Sequence, residues 1–186
     1  MLNYNSPIME TKEYPDIKIS EVEPILKINL RGKNRDFVTK VGKELSIIPP
    51  TDPNTSSGNK ELNLLWLSPD EWLIYSNDKI NLETSNTLED KLFNEISKTK
   101  LGSITNVTDH WIMINLKGPK IFDMLSAGCP FNFNKFKDSK GAVTQTLVNH
   151  IDVIIHNKDA NNLNLFVRRS FSNHLWLWMN DSARFV

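Results

Sequence analysis

A five-residue motif occurs almost twice in this chain, first at residues 28–32 as Ile-Asn-Leu-Arg-Gly and again at residues 114–118 as Ile-Asn-Leu-Lys-Gly. In both copies the aliphatic residues alternate, which places three of them on one face of a half-buried strand. An amphipathic stretch containing a phenylalanine, Phe37 or Phe122, follows each copy. The pattern predicts a duplicated strand-then-helix unit in which the aliphatic triads Leu26/Ile28/Leu30 and Ile112/Ile114/Leu116 face a shared core.

The remaining periodicities predict an α+β fold with mainly antiparallel sheets, because strands and helices alternate in pairs. Residues 1–24 contain three prolines among charges and no helical period, so we expect an extended N-terminal arm. Residues 25–186 then form one domain of two intertwined repeats, at about 25–108 and 111–186. Ser170 is the expected N-cap of the last helix, whose predicted apolar stripe is Phe171, Leu175, Trp178 and Met179.

Composition excludes several classes of function. The chain has 22 basic and 22 acidic residues, so no global field attracts it to nucleic acid or to an acidic membrane. No apolar run reaches the roughly 20 residues needed to span a bilayer. The first residues also lack the basic and apolar regions of a signal peptide, which predicts a cytoplasmic location.

The search for catalytic or metal-binding residues gives one open alternative. The four histidines have no metal-ligand spacing, and the single cysteine, Cys129, excludes a thiolate-rich zinc site. Asp109, His110 and Cys129 are compatible with a nucleophile set, because such groups meet in space rather than in sequence. The alternative is that Cys129, between a glycine and a proline, packs as a small buried thiol. We assign no catalytic, cofactor-binding or metal-binding residue.

Three large side chains lie off the apolar face of their predicted elements. Trp111 and Met113 occupy the strand face opposite Ile112, and Trp176 lies off the stripe of the last helix. Large aromatics outside a core are enriched at protein interfaces. Trp111, Met113 and Trp176 are therefore candidate subunit-interface residues, and a second packed layer within the same chain is the alternative.

Six fragments of the chain carry a resemblance to a known family. They are Leu67-Ser68-Pro69-Asp70-Glu71-Trp72-Leu73, Asn106-Val107-Thr108-Asp109-His110-Trp111, Leu116-Lys117-Gly118-Pro119, Leu125 with Gly128-Cys129-Pro130, Thr144-Gln145-Thr146, and Arg169-Ser170-Phe171 with Leu175, Trp176 and Trp178. In this order they resemble the gamma subunit of heterotetrameric sarcosine oxidase, over about residues 25–180.

The resemblance implies a non-catalytic structural subunit. Family complexes oxidise the N-methyl group of sarcosine to give glycine, hydrogen peroxide and a one-carbon unit that passes to tetrahydrofolate. FAD, FMN and NAD are then expected in the alpha and beta subunits and zinc in the delta subunit, with no cofactor in this chain. The implied fold is that of the folate-binding domain of aminomethyltransferase, which is an internally duplicated, ferredoxin-like α+β unit.

Two other functions stay open from the sequence. The same subunit type occurs in related N-methyl amino acid dehydrogenases. A free-standing folate-binding protein of the aminomethyltransferase type is the rival from a different class, and its sign is an acidic residue that faces a central cavity.

Overall fold

The computed structural model describes residues 6–78 and 82–186, and the chain divides into two compact units. The first unit is Ile25–Thr108, and the second joins the residues up to Pro24 with Asp109–Val186. Both units contain one antiparallel sheet with helices, which confirms the predicted α+β class. Within the described part of the chain, no helix is both long and apolar enough to span a membrane.

The first unit has a five-stranded sheet of order β4-β5-β6-β3-β7. Its elements are β3 Lys27–Arg31, α1 Arg35–Leu45, β4 Ser56–Gly58, β5 Leu62–Ser68, β6 Glu71–Ser76, α2 Leu82–Leu92, a π-helical turn Phe93–Ser97 and β7 Ser103–Asn106.

Helix α1 shows how the sequence builds this unit. Asn34 caps the helix, because its Oδ1 accepts a hydrogen bond of 2.7 Å from the backbone N–H of Phe37. Phe37, Val41 and Leu45 recur at intervals of four and are buried against the sheet core. The first Gly of the repeated motif, Gly32, leaves room for the Phe37 ring, since an added Cβ would lie 2.4 Å from it.

The second unit has a six-stranded sheet of order β1-β2-β8-β11-β10-β9. Its elements are β1 Thr11–Tyr14, β2 Ile17–Glu21, β8 Trp111–Lys117, α3 Ile121–Ser126, β9 Val143–Val148, β10 Ile151–Asp159, β11 Asn162–Arg168, a 3-10 turn Arg169–Phe171 and α4 Ser172–Ser182.

The expected N-terminal arm is not a free extended segment, because β1 and β2 form a hairpin that joins the second unit. Ile17 and Ile19 alternate along β2 and are both buried in its core. Ile19 lies opposite Leu116 of β8 in the antiparallel ladder. The alternation along Ile17–Glu21 is the sequence pattern that indicates β2. It is short and lies among prolines and charged residues, so the sequence analysis did not identify it as a strand.

The two sheets share one strand order around the repeated motif. In the first unit β3 lies between β6 and β7, and in the second unit β8 lies between β11 and β2. β2 precedes β3 in the chain but pairs with β8, whereas β7 precedes β8 but pairs with β3. The strand before each motif is thus exchanged into the sheet of the other motif.

The two aliphatic triads are buried, but not in the shared core that the sequence predicts. Leu26, Ile28 and Leu30 belong to the core of the first unit. The triad of β8 belongs to a separate core in the second unit.

The second Gly of the motif also has its own role, because Gly118 has a φ of 126° and approaches the backbone of Asp16. A ferredoxin-like duplication stays a prediction.

Candidate functional site

Two of the three expected interface residues are buried within the chain. Trp176 is 4 % exposed and belongs to the core of the second unit. Met113 is also buried, on the sheet face opposite Ile112. The interface assignment is therefore wrong for Trp176. For Met113 the assignment loses its premise, which was that the side chain is not covered by its own chain. Trp111 is half-buried, with its ring centroid 5.0 Å from that of His110 in a T-shaped arrangement, and its role stays a prediction.

The assignment of Trp176 failed because the buried face of α4 was placed wrongly. Arg169–Phe171 form a 3-10 turn, so the α-helix begins at Ser172 rather than after a cap at Ser170. The residues buried along α4 follow the helical spacing from there: Ser172, Leu175, Trp176, Met179 and Asn180, with Ala183 beyond. Two of them are polar, which concealed the stripe.

Two apolar side chains in and next to α4 are exposed. Leu177 is 68 % exposed and Phe171 is 46 % exposed. Trp178 is half-buried because its ring packs on Gly128, where an added Cβ would lie 2.4 Å from the ring. Single exposed apolar residues are common on soluble proteins and do not by themselves mark an interface. Of the stripe that the sequence predicts, Phe171 is therefore not part of the core, whereas Trp178 packs against it.

The structure gives Asp109, His110 and Cys129 no catalytic arrangement. Asp109 and His110 are exposed, and Cys129 is buried with its Sγ 3.7 Å from Oγ1 of Thr146. No hydrogen bond joins any two of these three residues in the described structure. The packing of Cys129 in the core of the second unit agrees with a structural thiol.

The remaining titratable groups do not assemble a metal site. Among residues 6–78 and 82–186, no three His, Cys, Asp or Glu side chains are placed to hold a metal ion. His156 is the one histidine buried in β10, and desolvation, with a smaller effect of Lys158, lowers its pKa to about 3. It is therefore a neutral, structural histidine at physiological pH.

A cleft of about 440 Å³ lies in the first unit beside the start of α1. Trp66 and Trp72, which are directly opposite each other on β5 and β6, provide its aromatic wall. The complete lining is Lys33, Asn34, Arg35, Val38, Thr51, Pro53, Trp66, Pro69 and Trp72. The cleft thus combines a tryptophan and proline surface with two cations.

The aromatic wall of this cleft is held in place from behind. The indole N–H of Trp72 donates a hydrogen bond of 2.8 Å to the backbone carbonyl of Pro50. Its ring also packs on Phe37, with the centroids 5.7 Å apart. The segment between α1 and β4 also contributes to the cleft, through Thr51 and Pro53.

Charge is distributed unevenly around the cleft. Lys33 and Arg35 are the ionisable residues of the lining, and both are exposed. Nζ of Lys33 lies 3.7 Å from the carboxylate of Asp70, which lies outside the lining. A hydrogen bond from Ser68, with smaller effects of Lys33 and Arg31, lowers the pKa of Asp70. Sequence reasoning missed this site, although two tryptophans flank the turn 68–71 and two cations flank the cap Asn34.

Comparison with protein families gives one match over most of the chain. Residues 34–184 match the family described as sarcosine oxidase, gamma subunit family. No curated protein is significantly similar to the chain in sequence.

Two solved structures show the same fold. A heterotetrameric sarcosine oxidase from Corynebacterium sp. U-96, in complex with pyrrole 2-carboxylate, superposes with a TM-score of 0.78 at 20 % identity. The match covers 90 % of this chain and 84 % of that one. A glycine cleavage system aminomethyltransferase T from Bartonella henselae gives a TM-score of 0.64 at 11 % identity, over 88 % of this chain and 45 % of that one.

Proposed function

Because the chain belongs to the sarcosine oxidase gamma subunit family, we propose that it is a non-catalytic structural subunit of a heterotetrameric sarcosine oxidase complex. The family match over residues 34–184 carries this proposal. The likeness of its fold to a chain of a heterotetrameric sarcosine oxidase supports it. The complex would oxidise sarcosine to glycine and hydrogen peroxide and pass a one-carbon unit to tetrahydrofolate.

In this proposal the chain binds the other subunits and carries no catalytic residue or cofactor. FAD, FMN and NAD would belong to the alpha and beta subunits, and zinc to the delta subunit. The related alternative is a complex of the same subunit type that acts as a dehydrogenase of another N-methyl amino acid.

Co-expression with the alpha, beta and delta subunits tests the assignment. The tagged chain should co-purify with them in a fixed stoichiometry, and the complex should produce hydrogen peroxide when sarcosine is added. The chain alone should turn over no sarcosine and show no flavin absorbance. Failure to co-purify, or sarcosine oxidation by the chain alone, would contradict the proposal.

A second candidate is a free-standing folate-binding protein. It is favoured by the fold similarity to aminomethyltransferase T, although this chain covers only 45 % of that protein. Titration of the isolated chain with tetrahydrofolate distinguishes the two. Tight, stoichiometric binding without the large subunits would favour the second candidate.

A further inference from the structure

We propose that the cleft at the start of α1 is the docking site for an acidic, apolar segment of a larger subunit of the complex, an inference that rests on the proposed function. It is carried by the lining of the cleft and by its charge, both of which belong to the first unit alone. The segment it fits carries a proline or another apolar side chain next to an Asp or Glu.

The apolar part of the lining is suited to an extended peptide. Trp66 is half-buried and Pro69 is exposed, so their rings supply the apolar surface of the cleft, and grooves lined with such rings bind extended proline-rich segments in several recognition domains. Trp72 is only 3 % exposed and its indole N–H donates to Pro50, so this ring supports the lining rather than offering open surface. The wall is preorganised by the Phe37 contact, which reduces the ordering cost of binding.

The charged residues of the lining favour an acidic segment as the occupant of the cleft. Lys33 and Arg35 line the cleft, whereas the lining contains no Asp or Glu. The side chain of Lys33 is 82 % exposed, and its pairing with Asp70 at 3.7 Å is an exposed ion pair that stabilises little. Both cations are therefore available to a carboxylate on a partner, where complementary charge raises the association rate and the specificity.

The same charges disfavour a second copy of this chain as the occupant. A symmetric dimer places the same patch on both sides of the interface. Two copies docked through this cleft would place four cations, Lys33 and Arg35 of each copy, in one interface whose lining has no Asp or Glu. A different polypeptide is thus the better fit, and a gamma subunit of a heterotetramer has such partners.

Arg35→Glu is the decisive variant, because it reverses one rim charge without harming the fold. Arg35 is the first residue of α1, where a negative charge interacts favourably with the helix dipole. Lys135→Glu makes the same change at an exposed residue of the second unit and serves as the matched control. The whole chain is immobilised, and the co-expressed alpha and beta subunits are the analyte at several salt concentrations.

We expect Arg35→Glu to weaken binding at least tenfold and to flatten its salt dependence, whereas Lys135→Glu changes the Kd less than twofold. Equal melting temperatures of the three proteins confirm that the fold is intact. An unchanged Kd for Arg35→Glu would overturn the docking site while leaving the proposed function in place. Failure of the unmodified chain to bind would overturn the function itself. A homodimer that Arg35→Glu dissociates would identify a second copy as the occupant and overturn this proposal.

Discussion

The hydroxyl of Tyr14 donates a hydrogen bond of 2.8 Å to Oδ1 of Asn180, across 166 residues of sequence. Tyr14 ends the first strand of the N-terminal hairpin, and Asn180 is a buried residue of α4. Nδ2 of Asn180 donates to the carbonyl of Trp176, so both ends of its amide are paired. The bond fixes the N-terminal hairpin to the last helix and lets a polar residue occupy the buried face of α4.

Tyr14→Phe should lower the free energy of unfolding by about 1–2 kcal/mol, because it leaves Oδ1 of Asn180 without its donor. Urea unfolding measures the change. A double-mutant cycle with Asn180→Ala isolates the pair, and the two effects should be non-additive by at least about 0.5 kcal/mol. Simple additivity would mean that the bond does not contribute to stability.

Substitution by Asp should destabilise the protein at Trp176 but not at the adjacent Leu177 of α4. Trp176→Asp places a charge in the core of the second unit and should cost more than about 3 kcal/mol or prevent soluble expression. Leu177→Asp is the matched control, and it should fold normally because that side chain is 68 % exposed. Circular dichroism and thermal melting measure both. A folded, stable Trp176→Asp protein would restore Trp176 as a surface residue.

Asn157 should be indispensable for the loop that follows α3. Its Nδ2 donates to the backbone carbonyls of Phe136, Lys137 and Ser139 at 2.6, 3.3 and 3.0 Å, and the residue is buried. Asn157→Asp replaces this donor with an oxygen that faces the three carbonyls, so we expect a loss of about 3–5 kcal/mol.

The exposed Asn134→Asp provides the control for Asn157→Asp, since it makes the same chemical change in the same loop. It should alter stability by less than about 0.5 kcal/mol. Equal effects of the two substitutions in urea unfolding would show that the three hydrogen bonds are not stabilising.

Sequence reasoning located the elements whose periodicity is dominated by apolar residues. Strands β3 and β8 contain the two alternating aliphatic triads that predict them, and helices α1 and α3 follow each strand as the motif predicts. The sequence predicted the position of helix α4 but not its buried face. Ser172 and Asn180 are polar residues that are buried with hydrogen bonds, which a hydrophobic pattern does not reveal.

Strand pairing between segments that are distant in the sequence is the second feature that the sequence analysis did not predict. The hairpin at Thr11–Tyr14 and Ile17–Glu21 depends on β8, almost 100 residues away, and local propensity does not encode that partner. The cleft was missed for a related reason. Lys33, Trp66 and Pro69 meet because the backbone N–H of Gly32 donates to the carbonyl of Asp70 in the β5–β6 turn, and none of the three belongs to a recognisable motif.

His156 should make the protein less stable as the pH falls below its ordinary histidine pKa. Burial, with a smaller effect of Lys158, lowers the pKa of His156 from 6.5 to about 3 in the folded state. Between these values the unfolded chain binds a proton that the folded chain does not, so stability rises with pH in this window and is lost as the pH drops. From pH 7.5 to pH 5 this group alone should lower the free energy of unfolding by about 2 kcal/mol.

Urea unfolding at these two pH values, with His156→Gln and His174→Gln, measures that contribution. His156→Gln removes the titrating group and should reduce the pH dependence by about 2 kcal/mol, because glutamine takes up no proton in this range. His174→Gln is the matched control, because that side chain is exposed on α4 rather than buried. An equal loss of stability between pH 7.5 and pH 5 in the His156→Gln protein would show that another group causes it.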